Sequence, residues 1–457
     1  MIASSRTDGA AQSLMTFSRL AFSISWALVS FNISEAHDLF TRPRLFSVAV
    51  GGAAYPVGAI ILLPVAAAIA MLAGCWLQSP SRSWRWGRIE ITLPVVALGA
   101  LALMRSWPVH QLTVLVPSAG GVLLFWGVYV YTLQNWPSRW AVLTLASLIA
   151  LQGGVAVAQF VHQRSIGLTF LGELVLDPAV YGVSVLEVAG ERWLRAYGLL
   201  PHPNVLGGVA GLGLLASLGA LLQDSRRQWL WIPVLAAGAG LLTSFSRSAW
   251  LGTLVGLLYL AGVTHLWRRV QWRERRTLWT TLGLLVVAGG IAVTFGGFLG
   301  ARLLRSDSLL EHNSVAERIR DAGQAWMLVR HLPLTGVGTG YYEGALWAWA
   351  DATGQSFPAF QRVHNVPLLL GAEMGVVAAI LWLWLVTVPP FTLLRAARSR
   401  PAQPALAGWA AALLCLLIVG LLDCYPYFLN FRAGALLGAL CGIWARLGGE
   451  GFVEDWS

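Results

Sequence analysis

About twelve apolar segments, each close to the length that crosses a lipid bilayer, recur along the 457-residue chain. A transmembrane helix needs about 20 mostly apolar residues. Charged residues make up only 11% of the sequence, whereas a soluble domain carries about 25%. We therefore predict an all-α integral membrane protein that forms one polytopic membrane domain over residues 1–457. The predicted spans are residues 14–33, 54–77, 89–105, 111–133, 140–161, 203–222, 229–244, 248–267, 278–299, 365–391, 404–422 and 427–445.

The basic residues predict how these spans are oriented. The net charge is +10, and all 31 basic residues are arginines. Because the arginines flank apolar segments, they indicate membrane topology rather than nucleic-acid binding. With a cytoplasmic N-terminus, the inner connections hold the arginine groups at 82–88, 226–227, 268–276 and 395–400, and an even number of spans places both termini in the cytoplasm. Only Arg6 precedes the first apolar segment and no A-x-A-like site follows it, so we expect an uncleaved span rather than a signal peptide.

Two outer connections are long enough to expect structure of their own. Residues 162–202 are predicted to form an outer re-entrant or loop segment, and residues 300–364 a large periplasmic loop. Within the large loop, Ser314 and Glu317 have the spacing of a capping box. An apolar stripe then predicts an amphipathic helix that ends near Pro333. The stripe consists of Val315, Ile319, Ala322, Trp326 and Val329.

We expect this helix to lie across the mouth of the membrane domain. Trp326 and Trp347 would then lie at the depth of the lipid headgroups, where tryptophan is enriched.

The GVGTG stretch at residues 336–340 invites comparison with a phosphate-binding loop. It lacks the Lys-Ser/Thr pair of a P-loop and has no predicted strand before it. We predict a tight turn in which the glycines adopt positive φ. The four cysteines form no CxxC pair, so we predict no metal site and no disulfide framework. They are Cys75, Cys415, Cys424 and Cys441.

Polar side chains from distant parts of the sequence are predicted at the outer ends of the spans. Their convergence on one side of the membrane is the strongest functional signal in the chain. They include Arg192, Arg195, His202, Asn204, Ser246, Arg247, Ser248, Arg318, Arg320, Arg330, Arg362, His364, Asn365, Asp423 and Arg432.

His364 and the arginines suggest a chemistry for this end of the protein. An isolated histidine has a pKa of about 6.5 and so offers a neutral, proton-accepting ring near pH 7. Guanidinium groups bind phosphate oxygens in bidentate fashion and keep their charge. Clustered arginines next to a histidine base therefore favour a substrate with a phosphorylated head.

Structural alternatives remain open for most of these residues. An arginine at the end of a span can extend to the lipid headgroups, although Arg247 lies in a very short turn on the side that the positive-inside rule disfavours. His202 can cap span six, with Pro203 in its first turn. Glu373, deeper in span ten, either pairs with a neighbouring span or joins a polar network.

Four stretches, in this order, resemble the O-antigen ligase and polymerase family of bacterial envelope glycosyltransferases. The resemblance covers most of residues 190–445, whereas the first five spans match only in hydropathy. The stretches are RAYGLLPHPNVLGG at 195–208, SRSAWLG at 246–252, RIRDAGQAWMLVRHLPLTGVGTGYY at 318–342 and HNVPLLLGAEMGVVA at 364–378.

The resemblance implies a GT-C-like fold of about twelve transmembrane helices in the bacterial inner membrane, with a large helical periplasmic loop and a periplasmic active site. It implies a transfer, without metal or cofactor, of a glycan from undecaprenyl diphosphate to an acceptor hydroxyl, with inversion at the anomeric carbon. The essential residues of the family would fall on Arg195, Arg247 and His364. The two arginines would bind the diphosphate, and His364 would accept the proton of the hydroxyl.

A second group of residues is expected to assist these three. Further arginines can contact the diphosphate or an anionic acceptor. Asp423 can orient His364 or pair with Arg432. The full second group is Arg192, Arg318, Arg320, Arg362, His202, Asn365 and Asp423.

Three functions are compatible with this sequence. A ligase would transfer the glycan to a lipid A–core type acceptor, and a polymerase would transfer it to another lipid-linked repeat. A transporter of a lipid-linked anion would need charges near the membrane midplane and repeated halves. The charged groups here lie mostly at the outer surface and no internal repeat is detected, which disfavours the transporter. The sequence separates ligase and polymerase poorly, because they share the donor and the fold. We expect the ligase, and its expected partners include membrane lipid and no nucleic acid.

Overall fold

The computed structural model describes residues 16, 18–23, 44–50, 53–58, 62–78, 84–106, 112–136, 139–188, 190–224, 226–268, 309–354, 362–398, 403–429 and 431–447. Within these residues the chain is mostly helical, as predicted. The predicted span at 278–299 lies outside the described residues, and only 16 and 18–23 of the span at 14–33 are described, as helix.

Most predicted spans correspond to observed helices with bounds that agree within a few residues. The helices are α1 (Leu62–Gln78), α2 (Ile89–Ser106), α3 (Leu112–Asn135), α4 (Arg139–His162), α5 (Pro203–Gln223), α6 (Trp231–Thr243), α7 (Arg247–Arg268), α8 (Leu309–His331), α9 (Tyr342–Thr353), α10 (Val366–Met374), α11 (Val376–Ala396), α12 (Pro404–Leu422) and α13 (Phe431–Leu447).

Five helices in the described part of the chain are long and apolar enough to cross a membrane. They are α2, residues Ala141–His162 of α4, α5, α11 and α12. Shorter apolar stretches occupy Val65–Trp76, Gln228–Thr243 and Ala433–Leu447. These helices support a multi-pass membrane protein, while the total of about twelve spans stays a prediction.

Two short antiparallel hairpins accompany the helices. Strand β1 (Arg44–Val50) pairs with β2 (Ala53–Gly58), and β3 (Val185–Val188) pairs with β4 (Glu191–Leu194). The predicted span at 54–77 begins too early. Residues Ala53–Gly58 form a strand, and the helix α1 begins only at Leu62. The second hairpin lies in the 162–202 connection and leads directly to Arg195.

The predicted span at 365–391 is two helices, α10 and α11, which meet at Gly375. Gly375 has a φ of +89°, and an added Cβ there would lie 2.4 Å from the carbonyl oxygen of Leu334. A turn of the large loop binds the backbone groups that the break exposes: Val337 N donates to Ala372 O (2.8 Å), and Val376 N donates to Pro333 O (2.8 Å). The large loop therefore stabilises the break, because it supplies hydrogen-bond partners for buried backbone groups that would otherwise lack one.

The same turn confirms the prediction for GVGTG. Gly336, Gly338 and Gly340 all adopt positive φ, at 61°, 112° and 71°. Thr339 also donates from its hydroxyl to Ala102 O near the end of α2 (2.9 Å). The glycines thus allow a tight turn that joins α2 to the break at Gly375.

Helix α8 forms in the large loop and ends at His331, close to the predicted end, but the predicted capping box was wrong. It begins at Leu309, so Ser314 lies inside the helix and does not cap it. The predicted apolar stripe is mostly not the buried face, because Ile319 and Trp326 are 69% and 55% exposed. The buried face, which packs toward α10, consists of Asp321, Gln324, Ala325, Leu328 and Val329.

Helix α12 is the centre of the bundle and packs against α5, α7, α11 and α13. It crosses α5 where Gly219 and Gly408 face each other. A Cβ at Gly408 would lie 2.7 Å from the carbonyl oxygen of Leu215 and 2.9 Å from the Cα of Gly219. Small residues at such crossings let membrane helices approach closely, which provides van der Waals contact between them.

Gly408→Ala is expected to destabilise the protein by about 1–3 kcal/mol, the usual penalty of overpacking a tight interface. The matched control is Gly238→Ala in α6, because a Cβ there meets nothing within 4 Å. Thermal unfolding of the purified protein in detergent should show a lower midpoint for Gly408→Ala than for Gly238→Ala. Equal midpoints would contradict the close α5–α12 crossing.

Candidate functional site

The predicted outer ends of several helices meet at one end of the bundle. Asn204, in the first turn of α5, donates from Nδ2 to Oδ2 of Asp423 after α12 (2.8 Å). Asn365, before α10, donates from Nδ2 to Leu421 O (3.0 Å). At the other end, Arg446 donates to the carbonyl oxygen of Gln134 (2.8 Å). Three of the polar residues predicted to converge, Asn204, Asn365 and Asp423, therefore lie at one end of the bundle.

Arg195 is held between two of these helix ends. It follows β4 directly and is only 6% exposed. Its Nε donates to the carbonyl oxygen of Ser244 (2.9 Å), and its Nη2 donates to Oδ1 of Asn204 (2.7 Å). The guanidinium group is thereby fixed beside the first turn of α5 and the turn that joins α6 to α7.

The turn between α6 and α7 has a well-defined conformation. Phe245 adopts a φ of +49°, which is uncommon for a residue other than glycine. Its ring is fully buried and packs on Phe160 and Trp250, with centroids 5.6 and 6.0 Å away. Ser244 at the start of this turn accepts from Arg195, and Arg247 at its end is the first residue of α7. Arg195 and half-buried Arg247 therefore lie on two sides of the same short turn.

His202 caps α5, as the structural alternative proposed. Its Nδ1 accepts from Asn204 N (3.1 Å), and Pro203 occupies the first turn. Burial, together with the positive charges of Arg195 and His364, lowers the pKa of His202 to about 3. A neutral ring is thus retained near pH 7.

His364 lies directly before α10 and is partly open, with its side chain 29% exposed. The helix is capped by the next residue, Asn365, whose Oδ1 accepts from Leu368 N (2.8 Å). Capping by Asn365 leaves the His364 ring available for other contacts. The Nδ1 atom of His364 lies 3.7 Å from Oδ2 of Asp321 on α8.

Asp321 is a site residue that the sequence did not reveal. Its side chain is fully buried, and its other oxygen, Oδ1, lies 3.5 Å from Nη2 of Arg320. Burial raises the pKa of the Asp321 carboxyl, while the neighbouring charges of Arg320 and His364 oppose that rise. The only sequence signal was an acidic residue beside Arg318 and Arg320 in the RIRD stretch.

A comparison with known families adds information on the family of the chain. The family model described as O-antigen ligase matches residues 231–383. The match supports an O-antigen ligase family assignment for this chain. At that level it supports a ligase- or polymerase-type glycosyltransferase, and it agrees with the resemblance seen in the sequence. No curated protein matches the chain significantly.

The matched segment covers about a third of this O-antigen ligase-like chain. It contains Arg247, Asp321 and His364, together with the α10–α11 break. Arg195 and Asp423 lie outside it and join the site through the hydrogen bonds of Asn204.

Asp423 contacts Asn204 rather than His364, and its suggested pairing with Arg432 stays a prediction. Its Oδ2 accepts from Asn204, and its Oδ1 accepts from its neighbour Cys424 N (2.8 Å). The carboxylate beside His364 is Asp321 instead. The side chain of Arg432, the other suggested partner, lies outside the described residues.

The secondary arginines differ in their position. Arg320 reaches the site through Asp321, whereas Arg362 forms an exposed ion pair with Glu343 (3.5 Å). Arg318 is half-buried on α8. Arg192 is exposed on β4, where it pairs in register with Glu187. Arg320 is therefore the secondary arginine that the structure connects most directly to His364.

Glu373 joins a polar network. It is 1% exposed and accepts a short hydrogen bond from the hydroxyl of Tyr427, between α12 and α13. Its backbone carbonyl accepts from Gly338 N (2.9 Å). This network connects the loop turn to α10 and gives Glu373 a structural role behind the site.

An apolar cavity of about 280 Å³ lies between α4, α5 and α13. Asp224, Arg227 and Gln152 are among the few polar residues in its lining, and none of the predicted site residues contributes to it. The cavity is therefore separate from the polar site around His364. Among the described residues, no group of three or more His, Cys, Asp or Glu side chains is arranged to hold a metal ion.

Proposed function

We propose that this protein is an inverting O-antigen ligase-like glycosyltransferase that transfers a glycan from undecaprenyl diphosphate to a hydroxyl of a lipid A–core acceptor. The observation that carries the proposal is that Arg195 and the residue after His364 both bind the C-terminal end of α12. Arg195 does so through Asn204, which donates to Asp423, and Asn365 does so by donating to Leu421 O. A cationic group and a proton-accepting group are thereby available to one substrate.

The donor diphosphate is proposed to bind at Arg195 and Arg247. Arg195 donates to the carbonyl oxygen of Ser244 at the start of the turn between α6 and α7, and Arg247 is the first residue after that turn, which supports a shared binding site. The first turns of α5, α7 and α10 belong to the same end of the bundle, and helix N-termini favour anions. The guanidinium groups would bind the phosphate oxygens and stabilise the charge that develops as the diphosphate leaves.

His364 is proposed as the general base. It would accept the proton of the acceptor hydroxyl while the acceptor oxygen forms a bond to the anomeric carbon. The bond from that carbon to the diphosphate oxygen would break, and the diphosphate would leave with the electron pair. Attack from the side opposite the diphosphate inverts the anomeric centre. The arginines supply the positive charge in this scheme, so it includes no metal ion.

The site is proposed to face the periplasm from the inner membrane. Arg446 and Arg85 are found at the opposite end of the bundle, where both contact Gln134. Under the positive-inside rule, a short connection rich in arginine, such as the one at 82–88 that holds Arg85, is cytoplasmic. Both termini are then cytoplasmic, and the large loop with α8 is periplasmic.

The test uses the purified protein in lipid vesicles with a glycan-loaded undecaprenyl diphosphate donor. Two acceptors are offered separately: lipid A–core, and a second lipid-linked repeat. Glycan on lipid A–core, undiminished by a chelator, supports the ligase. Lengthening of the lipid-linked glycan without use of lipid A–core identifies a polymerase instead. Movement of the donor across the bilayer without any transfer, or a strict need for a divalent metal, would refute the proposal.

A further inference from the structure

We infer that Asp321 is a positioning residue that holds the His364 ring so that its second nitrogen faces the acceptor hydroxyl. The inference rests on the proposed function, because it assigns a partner to the proposed base. It adds a residue on α8, a helix of the large loop, to the group at the ends of α5, α7 and α10.

The geometry of the pair carries the inference. The Nδ1 atom of His364 and the Oδ2 atom of Asp321 are 3.7 Å apart, and the Asp321 side chain is fully buried. Both atoms are themselves buried, and neither has a hydrogen-bond partner among the described residues. Buried polar atoms are nearly always partnered, and a small rotation of the ring would bring this pair to hydrogen-bond distance. Each atom is therefore the natural partner of the other.

Such a bond would determine the tautomer of His364. With the carboxylate as acceptor, Nδ1 carries the proton and donates it to the bond. The second ring nitrogen, Nε2, is then left as the proton acceptor. When Nε2 takes the proton of the hydroxyl, the Asp321 carboxylate stabilises the positive ring that forms, as an aspartate does for the histidine of a catalytic triad.

A purely structural pairing of Asp321 with Arg320 explains the contacts less well. The two residues are adjacent on α8, and side chains at neighbouring helix positions do not face each other. Their closest contact, 3.5 Å, involves Oδ1 and leaves Oδ2 for His364. The other charge that acts on Asp321 is Glu317 on the same helix, and Arg195 and His364 both act on His202.

The test compares Asp321→Asn and Asp321→Glu with the control Asp351→Asn, whose side chain is exposed on α9. We expect Asp321→Asn to lower turnover about 100-fold, the upper range for loss of a group that orients a functional histidine. The KM for the lipid-linked donor should change little. The acid limb of the pH–rate profile should move to lower pH, because the charge that favours the protonated ring is gone. Asp321→Glu, which keeps the carboxylate, should recover part of the turnover.

A second readout does not depend on glycan transfer. Diethyl pyrocarbonate modifies neutral imidazole, so mass spectrometry of His364 modification against pH reports the protonation of this ring, with exposed His331 as an internal control. We expect the midpoint for His364, and not for His331, to fall in Asp321→Asn. A shifted midpoint in a protein that transfers no glycan would refute the proposed function and leave the Asp321–His364 pairing intact.

Two results would overturn the inference. The first is a folded Asp321→Asn variant with normal turnover and an unchanged modification midpoint. The second is a loss of donor binding alone, with the midpoint of His364 unmoved. If Asp321→Asn does not fold, Asp321→Glu decides: reduced turnover with an acid limb near that of the wild type supports positioning, and unchanged turnover contradicts it.

Discussion

Replacing His364 with alanine is expected to reduce the turnover of glycan transfer by about 10²- to 10⁴-fold, the range that a general base usually contributes. The fold should survive, because Asn365 rather than His364 caps α10 and the His364 ring is partly exposed. Binding of the lipid-linked donor should also survive, since Arg195 and Arg247 remain. The variant would thus separate binding from chemistry.

Turnover and donor binding are measured on the same detergent-purified samples, with a radiolabelled donor. The matched control is His331→Ala, which removes an exposed histidine on α8 that contacts Met327 O (2.8 Å) and the ring of Trp349. The control should retain nearly full turnover. Transfer by His364→Ala at more than a tenth of the wild-type rate would rule out His364 as the base, and equal losses in both variants would indicate a general structural effect.

The sequence predicts most of the helices because hydropathy over about 20 residues is a direct measure of the tendency to enter a bilayer. It does not predict where such a segment bends. Residues 365–391 form a single apolar stretch in the sequence, and the break at Gly375 depends on hydrogen bonds from Pro333 and Val337, which lie in a different segment. The strand Ala53–Gly58 was missed for a similar reason, since an apolar strand next to an apolar helix has no boundary in hydropathy.

Helix α8 shows a second limit of prediction from the sequence. Apolar periodicity predicts one face of a helix but does not identify what that face contacts. In a soluble protein the apolar stripe faces the core, whereas a protein in a membrane can expose it. Ile319 and Trp326 are exposed, and the buried face instead contains Asp321 and Gln324. For this reason the sequence placed the arginines and His364 at one end of the protein but did not find the carboxylate beside His364.

The residues that the sequence did place at the site share one property. Arg247 and His364 each lie one residue before a predicted span and Arg195 lies eight residues before one, all on the side whose short turns carry few arginines. Topology alone is then enough to bring them to one end of the bundle. Topology does not predict the contacts of these residues. Arg195 is fixed by hydrogen bonds to Asn204 and to Ser244 in the turn, and no spacing in the sequence encodes these bonds.

Removing the guanidinium group of Arg247 is expected to lower kcat/KM for the lipid-linked donor by about 10²- to 10³-fold, the usual effect of losing one donor to a developing negative charge. Arg247→Lys should recover only part of this loss, because an ammonium group keeps the charge but loses the bidentate geometry. Steady-state kinetics with varied donor measure the effect. Arg330→Ala, which removes an exposed arginine on α8, is the control and should leave kcat/KM nearly unchanged.

Arg195 should respond differently, because its side chain also supports the fold. Arg195→Ala removes the hydrogen bonds to Ser244 O and Asn204 Oδ1, and a hydrogen bond to a charged group contributes about 1.5–3 kcal/mol. We therefore expect a lower unfolding midpoint for Arg195→Ala in addition to lost activity, and the unfolding midpoint of Arg247→Ala is measured alongside it. Full activity of either lysine variant would exclude bidentate binding of the diphosphate. Activity losses that merely follow the unfolding midpoint would assign Arg195 to the fold and leave donor binding to Arg247.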